Sequence, residues 1–112
     1  MRSLNLLVLR CRDLENSRRF YELLGMKFIR HAHGGPEHLA HEDDRGVFEL
    51  YPAKPDEKPD RTGIGFAVVD LAPMRCAMIA AGFAPEPIIQ NPWGVTCVVR
   101  DPDGRRVELK QA

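Results

Sequence analysis

The first half of the chain contains four short segments rich in hydrophobic residues and one longer segment with helical spacing. Leucine and valine are frequent in "SLNLLVLRC", which is too short for a buried helix and therefore predicts a strand. In "RDLENSRRFYELLGMKF" the apolar positions recur at helical spacing, between a typical N-cap residue, Asp13, and a typical helix-ending residue, Gly25. Three more strands are predicted at "MKFIRHAH", "EHLAHEDD" and "GVFELYP", separated by turn sequences. The predicted order is βαβββ.

The second half repeats this order. A strand is predicted at "GIGFAVV", a helix at "DLAPMRCAMIAAG", and strands at "FAPEPIIQ", "GVTCVVRDP" and "RRVELKQ". Asp13 and Gly25 recur as Asp70 and Gly82 at a common offset of 57 residues, which indicates an internal duplication. The stretch between the halves is rich in proline and charge and predicts a linker. We expect one domain of residues 1–112, with module one at 1–52, the linker at 53–62 and module two at 63–112.

Each predicted module places a glutamate inside its last strand, Glu49 in "GVFELYP" and Glu108 in "RRVELKQ". Strand alternation puts Phe48 and Leu50 on the face that the helix covers, and therefore puts Glu49 on the opposite face. The same reasoning places Glu108 opposite its two apolar neighbours. One helix covers only one face of a sheet, so the other face has to be covered or to line a cavity. The alternation therefore predicts two equivalent carboxylates that could share a cleft, although glutamates on a free face can also be merely solvated.

Composition and charge exclude several classes of function. The hydrophobic and charged fractions, 44% and 29%, are ordinary for a soluble globular protein. Sixteen basic residues balance sixteen acidic ones, which gives no electrostatic reason to expect nucleic acid or a membrane as partner. No apolar run approaches the ~20 residues that a membrane helix needs. Cys11, Cys76 and Cys97 are odd in number and widely spaced, so we expect buried, reduced thiols and a cytoplasmic location.

The duplicated pattern, with "SRRFYELLG" in the first half and "NPWGVTCVVRDPDGRRVEL" in the second, resembles the vicinal oxygen chelate superfamily. That superfamily includes glyoxalase I, bleomycin-resistance proteins and extradiol dioxygenases. The resemblance implies an α+β fold of two tandem βαβββ modules that form a U-shaped cleft. It also implies a homodimer, often with each cleft built from both chains, and a small-molecule ligand.

The resemblance also bears on metal binding. In the metal-binding members each module supplies a glutamate, here at Glu49 and Glu108, and a first-strand residue that is usually histidine. The first-strand positions fall on Leu6 and Gly63, which have no ligating side chain. A catalytic divalent ion normally needs three or four nitrogen or oxygen side chains. We therefore expect no divalent metal cofactor, and treat a metal held by Glu49 and Glu108 as the alternative.

Four histidines are candidates to complete such a site. His31, His33, His38 and His41 all fall in the second and third predicted strands of module one. Because strand residues alternate, His38 and His41 point to opposite faces, so only one of them can face the cleft. We expect exposed polar residues on an edge hairpin rather than ligands. A histidine close to Glu49 would nevertheless be the best replacement ligand, and could also act as a general base.

Three aromatic residues are candidates to line a ligand cleft: Tyr51, Phe66 and Trp93. Core packing, or a turn anchor for Trp93, is the alternative for each.

Three hypotheses about function follow. The first is a metal-free small-molecule cleft, similar to the bleomycin-resistance branch. The second is a divergent metal-dependent lyase, isomerase or dioxygenase that uses Glu49 and Glu108, and the third is a metal-free enzyme with a glutamate as base. A basic residue beside each glutamate would favour the first, because a carboxylate in an apolar cleft needs a partner. An ion or water between the glutamates would favour the others. The sequence does not name the substrate.

Overall fold

The computed structural model describes residues 1–112 and contains two four-stranded sheets, each with one helix. The elements in chain order are β1 (Leu6–Cys11), α1 (Leu14–Glu22), β2 (Ile29–His31), β3 (His38–Asp43), β4 (Gly46–Pro52), β5 (Ile64–Val68), α2 (Leu71–Ala80), β6 (Ile89–Asn91), β7 (Gly94–Arg100) and β8 (Arg106–Gln111). The prediction of an α+β fold made of two tandem βαβββ modules is confirmed. The chain divides into two compact units, Met1–Pro59 and Asp60–Ala112, which we call unit one and unit two.

Unit one has the strand order β1-β4-β3-β2. β1 pairs with β4 in parallel, and the other neighbours are antiparallel. α1 packs on one face of this sheet, where Phe48 and Leu50 of β4 are buried as the alternation predicts. The ring of Tyr21 from α1 lies 5.0 Å from the ring of Phe48. The opposite face, which carries Glu49, is not covered by this helix; we call it the free face of unit one.

Unit two repeats the arrangement with the strand order β5-β8-β7-β6. β5 pairs with β8 in parallel, and α2 packs on one face of the sheet. Val107 and Leu109 of β8 are buried on that face, together with Met78 of α2. Glu108 therefore lies on the opposite face, the free face of unit two, as predicted. Neither helix is long and apolar enough to cross a membrane.

Both helices have an aspartate at the N-cap and a leucine at the first helical position, but their first turns are capped differently. The Asp13 side chain accepts a hydrogen bond from the Asn16 N–H at 3.0 Å, so the predicted cap is confirmed. Asp70 occupies the N-cap position of α2, but its side chain makes no capping hydrogen bond. The N–H of Leu71 donates instead to the Gln111 side chain at 3.1 Å. A residue from the end of the chain therefore replaces the local cap.

Two other predictions are wrong in detail. The segment "FAPEPIIQ" forms a strand only from Ile89 onward, because Pro85 and Pro87 have no N–H to donate to a sheet. The Arg75 guanidinium donates a hydrogen bond to the backbone carbonyl of Glu86 in this segment, at 2.9 Å. Of the three cysteines, two are buried, but Cys76 is exposed. Cys76 lies on α2 two residues before the buried Met78, which places it on the outer side of the helix.

Candidate functional site

Glu49 lies in the middle of the free face of unit one. Its cross-strand neighbours are Val8 on β1 and Ala40 on β3, which by register share its face. The Glu49 side chain is 19% exposed, and its Oε2 atom lies 3.6 Å from Nε2 of His38. The carboxylate is therefore partly desolvated between apolar neighbours and has one basic partner.

His38 is held in place from two sides. Its ring stacks on the ring of Tyr51, with centroids 4.2 Å apart and planes 6° from parallel. Its Nδ1 atom lies 3.3 Å from the carbonyl oxygen of Pro36, which can only accept, so Nδ1 carries a proton in this arrangement. The other ring nitrogen then forms an ion pair with Glu49 whenever it is protonated as well. The expectation of an exposed histidine is wrong here, since His38 is 5% exposed.

The other three histidines differ in their surroundings. The rings of His31 and His33 lie 5.8 Å and 5.9 Å from that of His38, so they border the same group. His33 lies after β2 rather than in a strand. His41 lies on the opposite face, as the alternation predicts, where its Nδ1 accepts from the Lys27 N–H at 3.0 Å. The N–H of Arg45 and a hydrogen bond with His41 hold the pKa of Asp43 below its usual range.

The metal ligands that the resemblance implies for the first strands are absent from this chain. Leu6 and Gly63 occupy the two first-strand positions and carry no donor atom. No three histidine, cysteine or acidic residues of the chain are arranged to hold a metal ion. The oxygen of Glu49 instead lies beside an imidazole that is anchored by a carbonyl and a tyrosine ring.

Glu108 has a similar setting in unit two. Its cross-strand neighbours are Gly65 on β5 and Val98 on β7. Its Oε2 atom lies 3.7 Å from a guanidinium nitrogen of Arg106, two residues earlier on the same strand and the same face. Each of the two repeated glutamates therefore has a basic side chain of its own unit beside it.

The structure separates the three aromatic candidates. Tyr51 lies on the free face of unit one, next to His38 and two residues from Glu49. Phe66 pairs with Leu109 and shares its face, which is the one that α2 covers. Trp93 lies in the turn between β6 and β7 and is 59% exposed. Only Tyr51 is brought together with a glutamate of its own unit.

Sequence reasoning missed a group of arginines at the end of unit two where β7 and β8 are joined. A cavity of about 370 Å³ is lined by Arg61, Arg100, Gly104 and Arg106. Arg100 is the last residue of β7. The available signal was the segment "VVRDPDGRR", in which a hairpin turn brings arginines on both strands together.

Arg105, in the same turn, was also missed. Its guanidinium is fully buried and bonds to Asp60 at 2.8 Å and to Asp101 at 3.1 Å. Burial lowers the pKa of Arg105, but these hydrogen bonds outweigh burial and raise it above its usual value. The same bonds hold the pKa of the Asp60 carboxyl well below its usual range. The "DPDG" sequence forms the predicted turn and also supplies carboxylates to a buried cation.

Known proteins share the sequence pattern of this chain. The sequence profile described as Glyoxalase/Bleomycin resistance protein/Dioxygenase superfamily matches residues 3–109. No curated protein matches the sequence.

Several solved structures share the fold at low sequence identity. The antibiotic binding protein TnmS3 from Streptomyces sp. CB03234 has a TM-score of 0.81 and 20% identity, over 99% of this chain and 96% of its own. A glyoxalase-related enzyme from Fulvimarina pelagi has a TM-score of 0.77 and 22% identity, over 100% of this chain and 89% of its own. The oxidase ChaP-H2 has a TM-score of 0.80 and 17% identity, over 98% of this chain and 93% of its own. These likenesses establish the fold, and together with the profile match over nearly the whole chain they lead to one conclusion: the protein belongs to the glyoxalase/bleomycin resistance protein/dioxygenase superfamily.

Proposed function

We propose that this protein binds a small organic molecule without a metal cofactor, at the free face that carries Glu49. The observation that carries the proposal is the partner of each repeated glutamate. Glu49 lies 3.6 Å from His38, and Glu108 lies 3.7 Å from Arg106. Arg106 carries a positive charge and His38 carries one when it is protonated, so each can then balance its carboxylate without a metal ion.

The surroundings of Glu49 define the ligand's chemistry. Val8 is exposed beside it, and the stacked rings of Tyr51 and His38 form an aromatic wall on the same face. The Glu49 carboxylate can accept hydrogen bonds but donates none while ionised. We therefore expect a partly apolar, flat molecule with an N–H or O–H group directed at Glu49. One fold neighbour is an antibiotic binding protein, which supports antibiotics as the first compounds to test.

The test is calorimetric titration of the full chain with a panel of aromatic antibiotics. For any compound that binds, Tyr51→Ala removes the aromatic wall and Glu49→Gln removes the charged acceptor. We expect each variant to weaken binding by about five- to thirtyfold, because each loses a contact worth roughly 1–2 kcal/mol. Glu22→Gln on the outside of α1 is the matched control and should bind like the wild type. Binding that survives both site variants would place the ligand elsewhere and contradict the proposal.

One observation favours a second candidate, a divergent metal-dependent lyase, isomerase or dioxygenase. The ring nitrogen of His38 and the oxygen of Glu49 are a nitrogen and an oxygen donor side by side. Such an enzyme would use Glu49, Glu108 and at least one further ligand.

Metal analysis distinguishes the two candidates. The metal content of untagged protein is measured by mass spectrometry for the wild type, Glu49→Gln and Glu108→Gln. Stoichiometric metal that is lost in both variants would favour the metalloenzyme. Protein that is free of metal and takes up none of Zn²⁺, Ni²⁺, Fe²⁺ or Mn²⁺ would exclude it.

We also propose the higher-order features that the family resemblance implies. These are a division into modules at 1–52 and 63–112 around the linker 53–62, and a cytoplasmic homodimer. Trp93 remains a proposed ligand contact, since it is exposed. Phe66 is dropped from the proposed ligand contacts because it shares a face with the buried Leu109.

A further inference from the structure

The arginine-lined cavity of unit two has a feature that the fold alone does not explain. Arg100 on β7 and Arg106 on β8 are direct cross-strand partners. Like charges directly opposite each other destabilise a sheet. Arg61, just before β5, lines the same cavity of about 370 Å³, so three guanidinium groups surround one space.

Most of the nearby carboxylates are paired with another arginine. Neither Arg61 nor Arg100 has an ion-pair partner, whereas Arg106 lies 3.7 Å from Glu108. The oxygens of Asp60, Asp101 and Asp103 are directed at Arg105, at 2.8 Å, 3.1 Å and 3.4 Å. Four arginines and four carboxylates therefore lie in this region, but only Glu108 is paired with an arginine that lines the cavity.

We propose that this cavity binds an oxyanion of the phosphate or phosphonate class. Guanidinium groups bind such oxyanions through pairs of parallel hydrogen bonds, and a tetrahedral oxyanion has three or four oxygens to offer to the three guanidinium groups. A carboxylate has only two oxygens. The cavity is larger than a phosphate group and has room for part of an organic molecule. A Cβ added at Gly104 would meet no atom within 4 Å, so the wall is open on that side.

This site stands on residues of unit two alone and does not depend on ligand binding at Glu49. The competing explanation is that the arginines are solvated and are held near the surface by the general field of the three aspartates. In that case anion binding would depend on positive charge alone, and a lysine would bind the anion as well as an arginine does.

The first arm of the test asks which anion binds. The full chain is titrated with inorganic phosphate, phenylphosphonate and benzoate at constant ionic strength, followed by nuclear magnetic resonance of the Gly104 amide and the arginine Nε–H groups. We expect saturable shifts with the first two probes and at least tenfold weaker binding of benzoate. Phenylphosphonate binding tighter than phosphate would identify an organic ligand, and equal affinities would identify free phosphate. Saturation by none of the probes, or by benzoate equally well, would overturn the proposal.

The second arm asks whether guanidinium geometry matters. Arg100→Lys keeps the charge but loses the planar pair of donors, and Arg61→Gln removes a charge. We expect each to weaken phosphate binding at least tenfold. Arg45→Gln, an exposed arginine of unit one, is the control and should bind as the wild type does. If Arg100→Lys binds phosphate with wild-type affinity, binding depends on charge alone, and the proposed site is contradicted.

Discussion

Arg105 shows how a single residue can tie distant parts of a unit together. Its guanidinium is fully buried and bonds to Asp101 within the hairpin turn and to Asp60, 45 residues earlier. Breaking a buried ion pair by removing one partner is costly because the other charge stays buried without compensation. The turn between β7 and β8 and the segment that precedes β5 therefore depend on one cation.

We predict that Arg105→Met lowers the free energy of unfolding by about 3 kcal/mol, since Asp101 would stay buried without its cation. Arg106→Met, next in the chain but exposed, is the matched control and should change stability by less than about 0.5 kcal/mol. Urea unfolding followed by circular dichroism measures both. Equal stability of the two variants would show that the buried pair contributes nothing.

A pH dependence follows from Asp60. The hydrogen bonds from Arg105 lower the pKa of its carboxyl below the ordinary value of 3.8. A group whose pKa is lowered by folding stabilises the folded state above the unfolded pKa, and this contribution is lost as the pH falls toward the folded pKa. We predict that stability declines below about pH 4 and that Asp60→Asn flattens this decline. The Asp60 side chain is 43% exposed, so solvent screening keeps the effect modest.

Thermal unfolding between pH 2 and 7 measures this prediction, with the exposed linker variant Asp56→Asn as control. A decline in Asp60→Asn as steep as that of the wild type would assign the acid sensitivity to other carboxylates.

Alternation along a strand was enough to place Glu49 and Glu108, because the buried neighbours on either side fix their orientation. It could not place His38 or Arg105. The His38 ring is covered by Tyr51 on the adjacent strand β4, and the Arg105 guanidinium is bound by Asp60, 45 residues earlier in the chain. Single-strand patterns carry no information about such cross-strand and long-range partners.

At the scale of secondary structure elements, both helices start with an Asp-Leu pair but differ in how the first turn is capped. The Asp13 side chain caps α1, whereas the Asp70 side chain makes no capping bond and Gln111 supplies one to Leu71. A side-chain cap typically contributes about 1 kcal/mol. The duplication therefore conserved the aspartate position but not its role.

We predict that Asp13→Ala lowers the free energy of unfolding by about 1 kcal/mol and that Asp70→Ala lowers it by clearly less. The two substitutions are matched controls for each other, because both replace the N-cap residue of a helix. Chemical unfolding of both variants under the same conditions checks the difference. An equal loss in both would contradict the assignment of Gln111 as the replacement cap.

The start of β4 depends on a close approach of two backbones. Gly46 has a φ of 141°, and a Cβ there would lie 2.5 Å from the carbonyl oxygen of Asn5. The Val47 N–H donates to that same carbonyl at 2.8 Å. The strand that carries Glu49 therefore begins at a position that only glycine fits.

We predict that Gly46→Ala destabilises the protein by at least about 1 kcal/mol, through backbone strain and the displacement of Asn5. Gly35→Ala is the control, since Gly35 lies in open space and has no positive φ. Unfolding in urea measures both variants. A Gly46→Ala protein as stable as Gly35→Ala would show that β1 shifts at little cost.

For the molecule as a whole, we predict a homodimer. Exposed apolar side chains occur on both units, including Val8 and Ile29 in unit one and Ile89 and Trp93 in unit two. Sixteen positive and sixteen negative charges leave no net charge to oppose association at neutral pH. Sedimentation equilibrium should give twice the monomer mass of 12.7 kDa. A monomer at every concentration tested would contradict the prediction.

The fold could be predicted from the sequence because duplication supplies two independent copies of the same signal. Helical spacing, strand alternation and turn residues agree in both halves, so an error in one segment, such as the short β6, does not change the topology. The ligand-binding chemistry could not be predicted in the same way. It depends on which side chains meet across strands, as His38 does with Glu49 and Arg100 with Arg106.

The position of β4 and β8 in their sheets has a consequence for how the protein folds. Each of these strands pairs in parallel with the first strand of its own unit and lies between two neighbours. Pairing strands that are far apart in the chain requires a large loop to close first, which makes folding slow. The hairpin neighbours of each glutamate, such as Ala40 beside Glu49, are close in the chain, so we expect them to pair before β1 or β5 does. During synthesis on a ribosome the pairing with the first strand waits until the last strand of the unit has emerged.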